Sequence, residues 1–366
     1  MPFCASTCDF CAFYQEKPRR GDIDRYLSAI EHELALLPPD RPADTFFWGG
    51  GTPGLLPAED LLRLGENFLR ANTRPPEEWT VEMAPSAVKP AKLAALRQLG
   101  VTRISMGVQS FDSATLEALG RQHSPRQIYQ AWEAICAAGF PDTSLDLIFA
   151  VPGQDEQRWE ADLAEAVRLG PQHISTYCLT FEEDTALFVK LSKGKVAVDP
   201  ERDAALYRRT WRFLEDHGFP QYEISNFARP SHACRHNCHT WRMAEWLGYG
   251  PAAASQWHRR RFQNPASLDR WAKSIAEEKL AHEQIVALSP EMLFADALVF
   301  GLRMNEGVDL EENSRRFAVP VSSALRRLGE NLHAEELLHR DGSRWQLTLE
   351  GRLRADAIGS AILETV

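Results

Sequence analysis

Cys4-Ala5-Ser6-Thr7-Cys8-Asp9-Phe10-Cys11 places three thiols in one short loop at the start of the chain, with the spacing C-x3-C-x2-C. Thiolates are the usual protein ligands of iron–sulfur clusters. Three of them can hold three corners of a [4Fe-4S] cube and leave the fourth iron open to a small molecule, as a catalytic zinc keeps one position free of protein. A structural zinc loop, or three unrelated thiols, are the competing readings of this spacing alone. Zinc usually takes four closed ligands, and the next cysteine along the chain is Cys136.

Outward from the loop, strand-like and helix-like stretches alternate to about residue 180. Ile23, Tyr26, Leu27, Ile30, Leu34 and Leu37 recur at helical spacing, and Pro38-Pro39 ends that helix. The run 45–48 reads as a buried strand entering Gly49-Gly50-Gly51-Thr52-Pro53. Further strands are predicted over 79–83, 103–108, 144–151 and 173–179, with helices between them. Such alternation implies right-handed crossovers and a parallel sheet. Five strands after the cysteine loop are too few for a full eight-stranded barrel, so the expected fold is α/β, an incomplete (β/α)6 barrel. Chemistry in parallel barrels gathers at the carboxyl ends of the strands.

Composition sets outer limits. The chain has 366 residues, 44% hydrophobic and 25% charged, with a formal net charge of −10. That is ordinary for a globular protein, and the acidic balance argues against nonspecific nucleic-acid binding. No apolar run approaches the roughly 18 residues of a membrane span. Seven cysteines without a secretory signal fit thiols kept reduced for metals in a cytoplasmic protein.

The glycine run after the first predicted strand lets backbone approach a ligand closely, or simply makes a tight turn. Glu82, Gln109 and Asp146 stand among apolar neighbours toward the ends of later strands. Buried polar groups are costly alone, so they point to a shared ligand or to hydrogen bonds between strands. Arg121, in Leu-Gly-Arg-Gln-His, is suited to pair with a carboxylate.

Together these motifs resemble the radical S-adenosylmethionine superfamily, and within it the coproporphyrinogen-oxidase-like branch, over nearly the whole chain. The resemblance implies a [4Fe-4S] cluster on Cys4, Cys8 and Cys11, with S-adenosyl-L-methionine on the open iron and its reductive cleavage as the chemistry. It implies S-adenosylmethionine contacts at Gly50, Gly51, Thr52, Glu82, Gln109, Arg121 and Asp146. The oxygen-independent coproporphyrinogen III oxidases carry a fourth cysteine two positions after the third and a longer amino-terminal extension. Here that position is Phe13. The C-x3-C-x2-C-x-F pattern is similar to the HemW-type haem chaperones, which implies haem and an acceptor protein as partners, together with an electron donor. A porphyrin-modifying radical enzyme is the alternative.

The HemW-type pattern includes H-N-x-x-Y-W, and this chain reads His236-Asn237-Cys238-His239-Thr240-Trp241, with threonine in place of tyrosine. The glycine-rich run G-x-G-P-G-A-H-S is matched in part by 247–255, with Ala252 and Ala254 as departures. Both departures bear on haem affinity. His236 is the haem ligand the resemblance implies. By ligand chemistry alone, the crowded His232, Cys234, His236, Cys238 and His239 suit haem, another metal, or no metal. His258-Arg259-Arg260-Arg261 reads as a solvated basic loop or a partner for propionates, and Cys136 and Cys178 read as inert core thiols. Tyr177, Glu182 and Thr185 resemble a family segment with a buried structural role or a substrate contact.

The family's first strand runs several residues before the cysteine loop, whereas only Met1-Pro2-Phe3 stand here. We read this as a truncated first strand from a chain start assigned too late, so an upstream extension is expected to improve cluster retention. The expected domains are the barrel over 1–190, a connecting region with the His/Cys-rich segment over 191–287, and a winged-helix-like domain over 288–366. Within the connecting region, 190–195 reads as a turn-rich linker. The last domain is predicted from helices near 291–302, 310–317 and 323–332 and a hairpin turned at Asp341-Gly342. Without a clear basic face, that domain is expected to be structural or to dock a partner.

Overall fold

The structure is a computed structural model and describes residues 1–39 and 42–366. The chain divides into two compact units. The first comprises Met1–Leu206, Leu247–Ala254 and Phe262–Gln284, and the second Tyr207–Trp246, Ser255–Arg261 and Ile285–Val366.

In the first unit, α1 (Asp22–Leu36) precedes β1 (Thr45–Trp48), α2 (Ala58–Asn72), β2 (Glu78–Met83), α3 (Pro90–Leu99) and β3 (Arg103–Gln109). Then follow α4 (Ser113–Ala118), α5 (Pro125–Ala138), β4 (Asp142–Phe149), α6 (Glu156–Leu169), β5 (His173–Cys178) and α7 (Ala186–Ser192). The five strands lie in sequence order and pair in parallel. This is the partial radical-SAM-type barrel expected from the alternation. Met1–Phe3 run beside the glycine loop: Gly51 N–H donates to Met1 O and Thr52 N–H to Phe3 O, both at 2.7 Å.

Alternation along each strand separates two chemistries. Val81, Met83, Ile104, Met106, Leu145, Leu147 and Phe149 are buried on the face that meets the helices, where Trp159 of α6 lies 5.2 Å from the Phe149 ring. The opposite face carries Glu82, Arg103, Ser105, Ser144, Asp146, His173 and Ser175, all of them polar. Register places Glu82 beside Ser105, Ser105 beside Ser144, and Asp146 beside Ser175. Arg103 is buried and pairs with Glu78 at 3.3 Å, which keeps a charge in that polar interior neutralised. A polar inner face is poor packing for a core and good lining for a polar ligand.

α8 (Pro200–Asp216) leads to β6 (Gln221–Glu223), β7 (Asn226–Ala228) and α9 (Arg235–Trp241). β8 (Ala254–Trp257), β9 (Arg260–Gln263), α10 (Leu268–Ala276) and β10 (Glu283–Ala287) follow. The C-terminal part runs α11 (Pro290–Gly301), β11 (Val308–Asp309), α12 (Leu310–Phe317), α13 (Ser323–Ala334), β12 (Leu338–Asp341), β13 (Arg344–Leu347), α14 (Leu349–Leu353) and α15 (Ala355–Leu363). Its three strands form an antiparallel sheet in the order β11-β13-β12. Phe294, Leu298, Leu325, Trp345, Leu347 and Ile362 fill a core of its own. The three helices and the hairpin stand where the sequence puts them. β11 and the two closing helices were not foreseen, because two residues make no periodic signal and α14 and α15 are separated only by Arg354.

Three expectations need correction. Residues 190–192 belong to α7 rather than to a linker; Thr185 caps that helix, accepting from Phe188 N–H at 3.1 Å. Cys136 is exposed on α5, because its apolar neighbours in sequence point to other faces of the helix. Asp146 lies in the middle of β4, since that strand runs on to Phe149.

Candidate functional site

The cysteine loop is shaped by its own backbone. Cys4 N–H donates to Glu16 O at 3.1 Å, and Cys11 N–H to Cys8 O at 3.2 Å, closing a turn between the second and third cysteines. All three are half-buried and unoxidised. Burial raises the pKa of Cys4, against a hydrogen bond from Thr52, whose Oγ1 lies 3.5 Å from the sulfur; the neighbouring Cys8 raises it further. Burial likewise raises Cys11, with Cys8 and Cys4 both adding to it and Arg121 opposing. Three thiols gathered in one loop, with the Arg121 cation at hand, make a fitting donor set for an anionic polynuclear cluster. Among the described residues, no three His, Cys, Asp or Glu side chains converge as a site for a single metal ion.

Arg121 closes one side of the loop. Its Nη1 donates to Cys8 Sγ at 3.2 Å and its Nη2 to Gly107 O at 2.9 Å. The guanidinium can bind there because β3 breaks register between Gly107 and Gln109. Gln109 adopts φ 69°, a left-handed conformation that re-aims its side chain at the strand end. Sequence reading overlooked His123, two residues after Arg121. Its Nε2 lies 3.1 Å from Val108 O, and burial, with Arg121 adding to it, pushes its pKa down to about 4. A neutral histidine so fixed braces the Arg121 segment.

The glycine run lies against Met1–Phe3 and β2. A Cβ on Gly49 would fall 2.5 Å from Glu82 Oε2, and one on Gly51 would fall 2.6 Å from Phe3 O, so neither position admits a side chain without movement. Gly50 has φ 96° and its N–H serves the Glu82 carboxylate. Burial, with Asp146 adding to it, pushes Glu82 up to about 7. The Met1 ammonium donates to Gly49 O at 3.0 Å, and burial lowers its pKa to about 6 against the pull of Glu82. Asp146 accepts from Ser105 Oγ at 2.9 and 3.0 Å, with Ser144 and Ser175 as further hydroxyl partners. Cys4, Cys8, Gly50, Gly51, Thr52, Glu82, Gln109 and Arg121 are thereby linked around the ends of β1, β2 and β3, Asp146 joins them through its charge on Glu82 from the middle of β4, and Cys11 through the loop. Tyr177 is exposed at the end of β5, away from the buried role considered for it.

His236 belongs to the second unit, in the first turn of α9. It is half-buried. Thr240 turns its hydroxyl back onto the helix, donating to His236 O at 3.0 Å, which spends the oxygen that replaces the tyrosine. Trp241 packs on Phe300 with ring centroids 5.9 Å apart and carries the Arg303 guanidinium over its face at 5.3 Å. Cys234 and Cys238 are buried at the base of the same helix. Cys234 N–H donates to Tyr222 Oη at 3.3 Å. Of the His and Cys crowded along 232–239, His236, Cys238 and His239 lie on α9 and His232 and Cys234 precede it, and among the described residues no three such side chains converge on one ion. Arg261 pairs with Asp296 at 2.9 Å, so that end of the basic run is tied within the unit.

A buried carboxylate that sequence reading missed organises the glycine-rich run. Glu33 of α1 accepts from Gly250 N–H at 2.7 Å, Asn264 Nδ2 at 2.7 Å and Trp271 Nε1 at 3.0 Å. Burial nevertheless pushes it up to about 7. Its place on the apolar stripe of α1 was the available signal, a charge where periodicity asks for a hydrophobe.

Comparison with known proteins gives the same reading. Residues 1–166 match the Radical SAM superfamily and residues 288–354 the HemN C-terminal domain. Heme chaperone HemW of Bacillus subtilis is 30% identical over 99% of this chain and 97% of its own length. Heme chaperone HemW of Synechocystis is 35% identical over 84% of this chain and 77% of its own length. The coproporphyrinogen III oxidase HemN of Escherichia coli superposes with a TM-score of 0.85 at 23% identity, covering 99% of this chain and 88% of that one, which establishes the shared fold. No helix among the described residues is long and apolar enough to cross a membrane. With thiols, glycine run and strand-end polar residues assembled on a partial barrel, and with relatives matched almost from end to end, the chain belongs to the HemW family of radical S-adenosylmethionine proteins.

Proposed function

We propose that this protein is a haem chaperone, receiving haem and passing it to an acceptor protein in the cytoplasm. The observation that carries the reading is the end-to-end match to proteins named heme chaperone HemW, together with Phe13 at the position where the oxidase branch has a fourth cysteine. In this reading Cys4, Cys8 and Cys11 hold a [4Fe-4S] cluster, which supplies an electron and an open iron. Gly50, Gly51 and Thr52 present backbone and a hydroxyl to S-adenosylmethionine. Arg121 offers a guanidinium for its carboxylate, and Glu82, Gln109 and Asp146 offer acceptors from the inner face. His236 offers an imidazole to haem iron, the common protein ligand for that metal. An electron donor reduces the cluster.

Several features of the chain support these roles. The inner face is polar and fixed by hydroxyls before any ligand arrives, so little ordering remains to be done on binding. Half-burial of the three thiols limits water at the cluster. Half-exposure of His236 leaves it approachable by a planar macrocycle, whereas the buried Cys234 and Cys238 are screened. An anaerobic assay of the cluster-loaded protein with coproporphyrinogen III and S-adenosylmethionine tests the reading. No decarboxylation is expected, and stoichiometric loss of carbon dioxide would move the protein to the oxidase class.

A further inference from the structure

Asp9 and Phe10 lie between the second and third cysteines, and both reach away from them. Asp9 N–H donates to Leu119 O at 3.0 Å, at the end of α4, and Asp9 O accepts from Leu187 N–H at 2.9 Å, in α7. Asp9 Oδ2 accepts from Lys190 Nζ at 2.7 Å, also in α7. Gly120, at φ 70°, lets this happen: a Cβ there would stand 2.5 Å from Asp9 Oδ1 and 2.9 Å from Asp9 N. Phe10 packs against a small core of Leu119, Ile148, Val151, Leu179 and Leu187. The cysteine turn is thus tied through Asp9 to the end of α4 and to α7, neither of which contributes a thiol, and through Phe10 to a small apolar core.

We propose that α7 is a latch for the cluster loop and that Lys190 is its positioning residue, acting through Asp9 to hold Cys8 and Cys11 in the ligating conformation. Backbone bonds from Asp9 fix where the turn sits, and the Lys190 ion pair fixes its rotation, because it holds Asp9 by its side chain rather than its backbone. The pair is partly exposed, at 41% and 29% of side-chain area, so its share of global stability is small. Its effect falls on geometry. Groups that orient metal ligands from behind typically change metal affinity by about 10- to 100-fold when removed. The proposal rests on the three cysteines holding the cluster.

The test is iron release from anaerobically reconstituted protein to a ferrous chelator, with electron paramagnetic resonance of the reduced cluster as a second readout. Lys190→Met and Asp9→Asn are expected to release iron roughly 10-fold faster than wild type and to broaden the signal. The melting temperature of the cluster-free protein should stay within about 2 °C. Lys190→Arg, which keeps the charge, should restore slow release. Wild-type release from Lys190→Met would overturn the latch, as would a large fall in melting temperature with an unchanged spectrum. Cys8→Ser separates the two levels: if it keeps a normal cluster, the ligand assignment fails, whereas if it loses iron and Lys190→Met does not, only the latch fails.

Discussion

Arg121 Nη1 donates to Cys8 Sγ at 3.2 Å across more than a hundred residues of chain, while its other arm holds Gly107 O at the β3 bulge. One cation therefore couples the cysteine loop to the strand that carries Gln109. A cation beside a thiolate ligand favours the more negative, reduced state of a cluster. Removing a charged hydrogen bond worth about 1.5–3 kcal/mol shifts a one-electron couple by roughly 60–130 mV. Arg121→Gln should lower the cluster reduction potential by that order, measured by redox titration with electron paramagnetic resonance. An unchanged potential would show that Arg121 leaves the thiolate when the cluster binds.

Cys8→Ser should take iron from about four per chain to well below one after anaerobic reconstitution, with loss of the cluster's visible absorption. Cys136→Ser, on the exposed face of α5, serves as the control and should keep full iron. Iron and sulfide analysis decides the point.

Glu82 gives a pH signature. Burial, with Asp146 behind it, raises its folded-state pKa to about 7 from the ordinary 4.5. A raised carboxyl binds its proton more tightly when folded, so the stability it contributes is present below pH 4.5 and is lost as pH rises through 7. The loss is about 3 kcal/mol by pH 8. Glu33 titrates in the same direction, so the difference between wild type and Glu82→Gln isolates Glu82. In urea titrations of cluster-free protein, Glu82→Gln should gain on wild type between pH 5 and pH 8. A constant difference would mean that the carboxylate is relieved by a partner or by water.

Glu33→Ala should destabilise the protein by about 3 kcal/mol, because Gly250 N–H, Asn264 and Trp271 all lose their acceptor inside the fold. Urea unfolding at pH 6 measures it. A cost below about 1 kcal/mol would mean that water replaces the carboxylate.

How far the sequence could be read depended on the range of each interaction. The five strands and the helices between them were legible because hydrophobic period is a local property, and α12 falls on the very residues its pattern marks. The cysteine loop and glycine run were legible as motifs because their chemistry lies in adjacent residues. Asp146 was placed at a strand end because sequence shows which residues are apolar but not where pairing with β5 stops. Glu33, Asp9 and Lys190 were passed over because each acts through partners far away in sequence: Glu33 meets Gly250, and Asp9 meets Lys190. The run of His and Cys at 232–239 left haem, another metal and no metal all open, because density in sequence does not say which side chains converge: His236, Cys238 and His239 lie on α9, whose successive residues turn about 100° apart, and His232 and Cys234 precede it.

The most direct test of the chaperone reading is a haemin titration of the anaerobically cluster-loaded protein, followed by its Soret absorption. Saturation near one haem per chain is expected, with affinity reduced about 10-fold or more in His236→Ala and unchanged in Cys136→Ser. Weak, unsaturable binding that is indifferent to His236 would contradict the chaperone account, because Thr240 would then mark a haem site that this chain has lost.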